Sequence, residues 1–229
     1  MIFVGGVPFS TDPSPQGNNA VFALMEDPIL VSVSNTFKAI PEKKFSTNEE
    51  SSLERSNKWV YVFQREYATV NPATANFVGT DEATTCVGLV IRNRQNGMTS
   101  IAHMDSPDIV DMGICQMLSL LIDQNLDAEL EVHMVGGFED ASPNYAKSNT
   151  RSESSAKLEG YSYPLCAKIV ESLCTRREKF HVKTLFILGH NTRRDTQGNV
   201  YPIFNGLAVS LNLVLQLLMS HFLGSFHLN

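Results

Sequence analysis

The stretch TCVGLVIRNRQNGMTSIAHMD, Thr85 to Asp105, decides how this chain is read. Two runs of β-formers, residues 85–92 and 98–103, flank a polar segment, residues 93–97. That segment ends in Asn96-Gly97, a step that favours the positive backbone angles of a hairpin turn. If residues 93–96 form the loop, Arg92 faces Gly97, Leu89 faces Ser100 and Cys86 faces His103. Directly opposed residues share a sheet face with Cβ atoms ~4.5–5.5 Å apart, whereas a one-residue slip puts them on opposite faces.

A thiol beside an imidazole is a working pair. The thiolate is the nucleophile, and a free cysteine with a pKa of about 8.5 is mostly protonated at neutral pH. A neighbouring histidine accepts that proton and later delivers it to a leaving amine. The turn Asp81-Glu-Ala-Thr-Thr before the strand offers backbone amides around residues 84–87 as donors to an oxyanion. Packing is the competing explanation for any cysteine. It is favoured for Cys115, Cys166 and Cys174, which fall in or beside two apolar helical patterns. His133 reads as a core histidine, and His181, His190, His221 and His227 have no cysteine opposite them in a hairpin. The cysteine and histidine spacings match no zinc signature, and no nucleotide-binding glycine motif is present.

Outward from the hairpin, residues 59–70 are dense in β-formers and residues 72–79 read as a turn. Residues 109–125 carry apolar side chains at helical spacing, residues 130–136 read as a strand, and residues 163–174 as a second amphipathic helix. Strands are expected over 181–190 and 201–210, with a polar turn between them. At the start, a strand-like segment leads to a loop and a short helix over 19–26, with Pro28 breaking the apolar run 21–33. Residues 41–57 have little to bury and read as a solvated loop or helix. The order predicts an α+β layered fold.

One domain over residues 1–229 accounts for the length. Within it, 1–57 is an N-terminal segment, 140–160 a polar mobile insertion and 210–229 an unusual tail. A net charge of -6 supplies no basic field for nucleic acid. The apolar run 207–228 is interrupted by Ser210, Asn212, Gln216, Ser220 and His221, so it reads as a buried helix rather than a membrane span. The first residues lack the basic region of a secretory leader, and reduced thiols in the cytosol or nucleus are expected.

Four segments carry a family resemblance: VFQREYA (62–68), GTDEATTC (79–86), AHMD (102–105) and LEVHMVGGF (130–138). Together they resemble the eukaryotic, plant-like protein N-terminal asparagine amidohydrolases. The resemblance implies that Cys86, which closes Ala-Thr-Thr-Cys, is the nucleophile. It implies conversion of an N-terminal asparagine to aspartate with release of ammonia, without cofactor or metal. The partners implied are protein or peptide substrates with N-terminal Asn, and the pathway an N-terminal degradation route. No nucleic acid or membrane is implied, and a monomer in the cytoplasm, and also the nucleus, is expected. A more distant resemblance, to chemotaxis-receptor glutamine deamidases and Rho-deamidating toxins, implies a layered α-β-β-α sandwich, His103 as the partner of Cys86 and Thr80 as third member.

An N-terminal substrate carries a positive α-amine, so a carboxylate is needed near the motifs. Asp81, Glu82, Asp105 and Glu66 are available, with Asp81 and Glu66 ranked first. Thr85 is a further substrate-binding candidate. Gly136 and Gly137 either let a backbone approach the ligand or make a turn. Beyond residues 201–209 the family continues with further strands and a helix, whereas residues 210–229 look unlike that tail. An incomplete scaffold with exposed apolar surface is the expectation there. An internal glutamine or asparagine deamidase and a non-catalytic module that binds N-termini are the alternatives.

Overall fold

The computed structural model describes residues 1–9, 20–39, 43–46, 58–122, 128–140, 160–211, 216–218 and 220–223, with only the backbone at 43–46 and in the last two segments. In chain order the elements are β1 (Ile2–Val4), β2 (Val7–Pro8), α1 (Ala20–Glu26), α2 (Pro28–Lys38), β3 (Lys43–Ser46), β4 (Trp59–Tyr61), β5 (Tyr67–Val70) and β6 (Phe77–Thr80). They continue with β7 (Val87–Asn93), β8 (Thr99–Met104), α3 (Val110–Leu121), β9 (Glu129–Gly136), α4 (Ser162–Thr175) and β10 (Lys179–Phe186). The last are β11 (Thr192–Arg194), β12 (Val200–Pro202), β13 (Leu207–Ser210), β14 (Gln216–Leu218) and β15 (Ser220–Leu223).

Strand β7 is buried along almost its whole length because both of its faces are covered. It lies inside a seven-stranded mixed sheet of order β2-β1-β10-β9-β7-β8-β5. Val87, Leu89 and Ile91 point into a core shared with α3 and α4, where Ile114, Met117, Leu165 and Ile169 are fully enclosed. Val90 points the other way, into a second core with Val78, Leu207 and Val209. Those residues belong to a four-stranded sheet of order β14-β13-β6-β4. The period of two in β7 therefore sends alternate side chains to a helical layer and to a second sheet. Each large side chain so enclosed contributes about 1.5–3 kcal/mol relative to exposure.

Several expectations change. Pro28 breaks the apolar run as expected but also starts a second helix: it occupies the first turn of α2, and Asp27 caps that helix by accepting from the Ile29 and Leu30 amides. The turn expected over 72–79 ends in β6, a strand held by β4 and β13. The strand expected over 201–210 is two, β12 and β13, in different sheets. Within 41–57, Lys43–Ser46 is a strand that pairs with β15, and the rest lies outside the described residues. The apolar run 207–228 is not a helix where it is described, because β13, β14 and β15 are strands with partners. No helix among the described residues is long and apolar enough to cross a membrane. Cys166 packs as expected, whereas Cys115 and Cys174 are exposed, because the helical stripe buries neighbouring positions instead. Of the insertion expected over 140–160, residues 141–159 lie outside the described residues.

Candidate active site

The hairpin forms with a register shifted by two from the expected one. His103 is opposite Gly88, Ile91 is opposite Ser100, and Val87 opposite Met104 is the last pair. The cause is Asn93, which joins the ladder: its amide donates to Met98 O at 2.9 Å. Its buried side chain donates to Leu121 O at the end of α3, also at 2.9 Å. The loop is therefore residues 94–97 rather than 93–96. A shift of two keeps every residue on its expected face, because the pleat has a period of two. Cys86 lies just ahead of β7, on the diagonal from His103, where spacing is ~7–8 Å rather than that of a direct pair.

His103 faces the second sheet. Its Nδ1 is 2.7 Å from Thr80 Oγ1, the last residue of β6, and both residues are buried. The approach of the two sheets depends on Gly88: a Cβ there would clash with Leu207 Cδ2 and touch Thr80 Cγ2 at 3.4 Å. The backbone of His103 is fixed too, since its amide donates to Glu66 O and its carbonyl accepts from Arg65 N, each at 3.0 Å. The remaining imidazole atom, Nε2, is buried and has no hydrogen-bond partner among the described residues. Burial pulls His103 below the ordinary histidine pKa, and the charges of Asp105, Glu82 and Asp81 oppose that pull.

Cys86 is 9% exposed. Burial pushes its thiol up from the ordinary value, and the charge of Asp105 adds to this, while a hydrogen bond from the Thr85 side chain favours the thiolate. Its carbonyl accepts from the Gly137 amide at 2.7 Å. Gly136 has φ +118, and a Cβ there would lie 2.5 Å from Cys86 O and 3.0 Å from Ala83 O. Gly136 thus lets the backbone around Cys86 come close, while a Cβ at Gly137 would meet Ser162 Cβ at 3.3 Å and Cys166 Sγ at 3.4 Å. The buried Asn191 ties this corner together by donating to Gly137 O and Phe204 O, both at 3.1 Å. Of the oxyanion donors expected around 84–87, the Thr84 amide is already engaged with Glu82 O at 2.8 Å.

The acids divide. Asp81 is buried and accepts the Glu82 amide on Oδ1 at 2.7 Å. Glu82 stands beside it in left-handed backbone, φ 58. Glu66 is exposed and accepts the Phe63 amide on Oε2 at 3.1 Å. Asp105 follows the last pair of the hairpin, as Cys86 precedes it. Its Oδ2 accepts from Gln64 Nε2 at 2.8 Å and Arg65 Nε at 2.7 Å, and its Oδ1 is buried without a partner among the described residues. These bonds hold the Asp105 carboxyl below the usual carboxylate range against the opposing effect of burial, which is the largest single influence. Gln64 and Arg65 lie in the quoted segment 62–68, and only their meeting with Asp105 in space distinguishes them. A cavity of about 100 Å³ opens beside His103, lined by Arg65, Glu66, Tyr67, Met104, Ile109 and Met112 among others.

Comparison with known proteins places the chain in a family. Residues 49–216 match the family described as protein N-terminal asparagine amidohydrolase. A protein of that description from Arabidopsis thaliana is 54% identical over 218 residues, which is 92% of this chain and 62% of the relative. One from Homo sapiens is 29% identical over 157 residues, 66% of this chain and 44% of the relative. The chain thus spans less than two thirds of the length of these relatives. A solved Neisseria meningitidis protein of the DUF152 family aligns with a TM-score of 0.37 and 11% identity, over 61% of this chain and 67% of its own, a likeness too low to carry an argument. On the match that covers most of its length, the chain belongs to the protein N-terminal asparagine amidohydrolase family.

Proposed function

We propose that the chain hydrolyses the side-chain amide of an N-terminal asparagine to aspartate and ammonia, with Cys86 as nucleophile, His103 as general base and acid, and Thr80 orienting the imidazole. The observation that carries this reading is the His103 ring, held through Nδ1 by Thr80, with a buried Nε2 that has no partner among the described residues beside the cysteine strand. With the Nδ1 proton donated to Thr80 Oγ1, Nε2 offers a lone pair. At rest both groups are neutral, because burial raises the thiol and lowers the imidazole. The proton therefore moves as the thiol attacks, when the gap to Nε2 closes or one water spans it. Sulfur bonds to the carboxamide carbon, ammonia leaves with the proton from His103, and a thioester remains. Water, losing a proton to Nε2, attacks the thioester carbon; the carbon–sulfur bond breaks and the thiol is regenerated.

Thr85, whose side chain hydrogen-bonds to Cys86, lines the substrate side together with Asp81 and Glu66. The finer architecture belongs to the same proposal: an α-β-β-α sandwich, supported as far as a helical layer and two stacked sheets. So do a monomeric state, a place in the cytoplasm and nucleus, and a role in creating acidic N-termini for degradation.

The test is to incubate the chain with peptides beginning Asn, Gln or Ala-Asn and to follow ammonia and the 1 Da mass gain expected for an amide-to-acid change, roughly one nitrogen exchanged for oxygen per residue. Turnover of the Asn-first peptide alone, absent in Cys86→Ala, is the expected result. Turnover of Ala-Asn would replace this reading with an internal deamidase, and binding without ammonia with a non-catalytic module.

A further inference from the structure

Asp105 stands apart from the other acids of the site. It is the first residue after the last hairpin pair, as Cys86 is the last before it. Two donors grip one of its oxygens, Gln64 Nε2 and Arg65 Nε on Oδ2. The other oxygen, Oδ1, is enclosed and has no partner among the described residues. A buried polar atom without a partner costs about 1–3 kcal/mol, more when charged, and calls for a ligand or a function. The grip is itself built with strain: Arg65 adopts left-handed backbone, φ 67, which is unfavourable for a residue with a side chain.

We propose that Asp105 receives the α-ammonium group of the substrate on Oδ1, and so makes the site selective for a free N-terminus. This rests on the amidohydrolase reading above. The distances in an asparagine support it. Its α-nitrogen is three bonds from the carboxamide carbon, roughly 4 Å at full extension by standard bond lengths. The carboxylate that reads the ammonium therefore has to stand next to the nucleophile, as Asp105 does. Asp81 and Glu66 each already hold a backbone amide, and Glu66 is exposed. Gln64 and Arg65 are positioning residues: both bind Oδ2 and so leave Oδ1 for the substrate. An ammonium on Oδ1 also offsets the negative charge that Asp105 presents to Cys86, so substrate and activation arrive together.

The experiment uses the full 229-residue chain and peptides of one sequence that begin with Asn, with its succinamoyl counterpart (hydrogen in place of the α-ammonium), or with Asp. In the wild type, kcat/KM for the succinamoyl peptide falls roughly 10- to 100-fold below that for the Asn peptide, the worth of a charged hydrogen bond. Asp105→Asn lowers the Asn peptide more than the succinamoyl peptide, so that the two kcat/KM values come to within about threefold of each other, any loss through His103 and Cys86 being common to both. Asp105→Ser, which removes the charge with less bulk, serves as second variant, and circular dichroism checks that each folds. Independently of turnover, the Asp-first peptide slows alkylation of Cys86 by iodoacetamide in the wild type and not in either variant. Equal losses for both substrates, equal handling of both by the wild type, or protection that survives loss of the carboxylate would each overturn the proposal. Failure of the parent reading looks different: no ammonia from any peptide, with Asp105-dependent protection of Cys86 retained, removes the reaction and supports the ammonium seat.

Discussion

Two histidines flank β7 on the same face of the large sheet, and the proposed reaction uses only one. His103 sits opposite Gly88, and His133, on β9, sits opposite Val90. Each places Nδ1 on a threonine hydroxyl, Thr80 at 2.7 Å and Thr184 at 3.0 Å. Each leaves a buried Nε2 with no partner among the described residues. Their surroundings differ in charge. Asp105, Glu82 and Asp81 support the protonated form of His103 against burial. Around His133, burial and the cations Lys183 and Arg92 act in the same direction and take its pKa down to about 3. On the proposed reading, a histidine–threonine pair is therefore not a catalytic element in itself: acids that favour the protonated imidazole, and a cysteine on the next strand, make the difference.

The largest effect expected from breaking this comparison is on turnover. His103→Gln should lower kcat by roughly 10²–10⁴, the usual worth of general acid–base catalysis, whereas His133→Gln should leave kcat within a few-fold of wild type. Steady-state ammonia release on an Asn-first peptide decides it, and equal losses in both variants would show that His103 acts through structure alone.

The second effect is on stability in acid. His133 is neutral in the fold, with a pKa of about 3, but titrates near 6.5 when unfolded. The unfolded state therefore binds its proton first, and stability is lost as pH falls below about 6.5. The slope is up to about 1.4 kcal/mol per pH unit until the folded pKa is reached. Urea unfolding between pH 6.5 and 4 should show a shallower loss in His133→Gln than in wild type, whatever their absolute stabilities. For His103 the folded pKa is also lowered, so the acid limb of kcat/KM should fall below the pH of an ordinary histidine.

Third in size is the corner that holds Cys86. Gly136→Ala forces a side chain into positive φ and against Cys86 O, at a cost of about 2–4 kcal/mol. Thermal unfolding and Cys86 alkylation should both report it. The smallest effect is that of the threonines. Thr80→Val should lower kcat about tenfold with little change in KM, the worth of one hydrogen bond, while Thr184→Val should be felt only in stability.

Much of the site was legible because it lies on one hairpin or in the residues just ahead of it. The segments 79–86 and 102–105 hold Thr80, Cys86, His103 and Asp105. The shared face of Cys86 and His103 survived an error of two in register, since only odd slips change faces. The error arose because Asn93, polar and beside a turn, reads as loop. Its buried bond to Leu121 O, from a helix whose place is not written in the hairpin, makes it the last residue of the strand. The apolar residues 207–210 had no alternation long enough to separate strand from helix, and β6 decided the matter by pairing with them.

The sequence by itself determined the chemistry on offer: one cysteine and one histidine on the same pleated face, a threonine shortly before them, and the helical stripes that bury the other side of the sheet. Only the tertiary structure decided that Thr80 reaches His103, because that bond crosses from one sheet to another through the gap left by Gly88. Likewise it alone showed that, of the four acids, Asp105 keeps a buried oxygen that meets no donor among the described residues. Which oxygen of a carboxylate is occupied depends on where Gln64 and Arg65, some 40 residues away, come to rest. Local pattern sets which face a side chain takes, but which partner it meets across the core is set by how the layers pack.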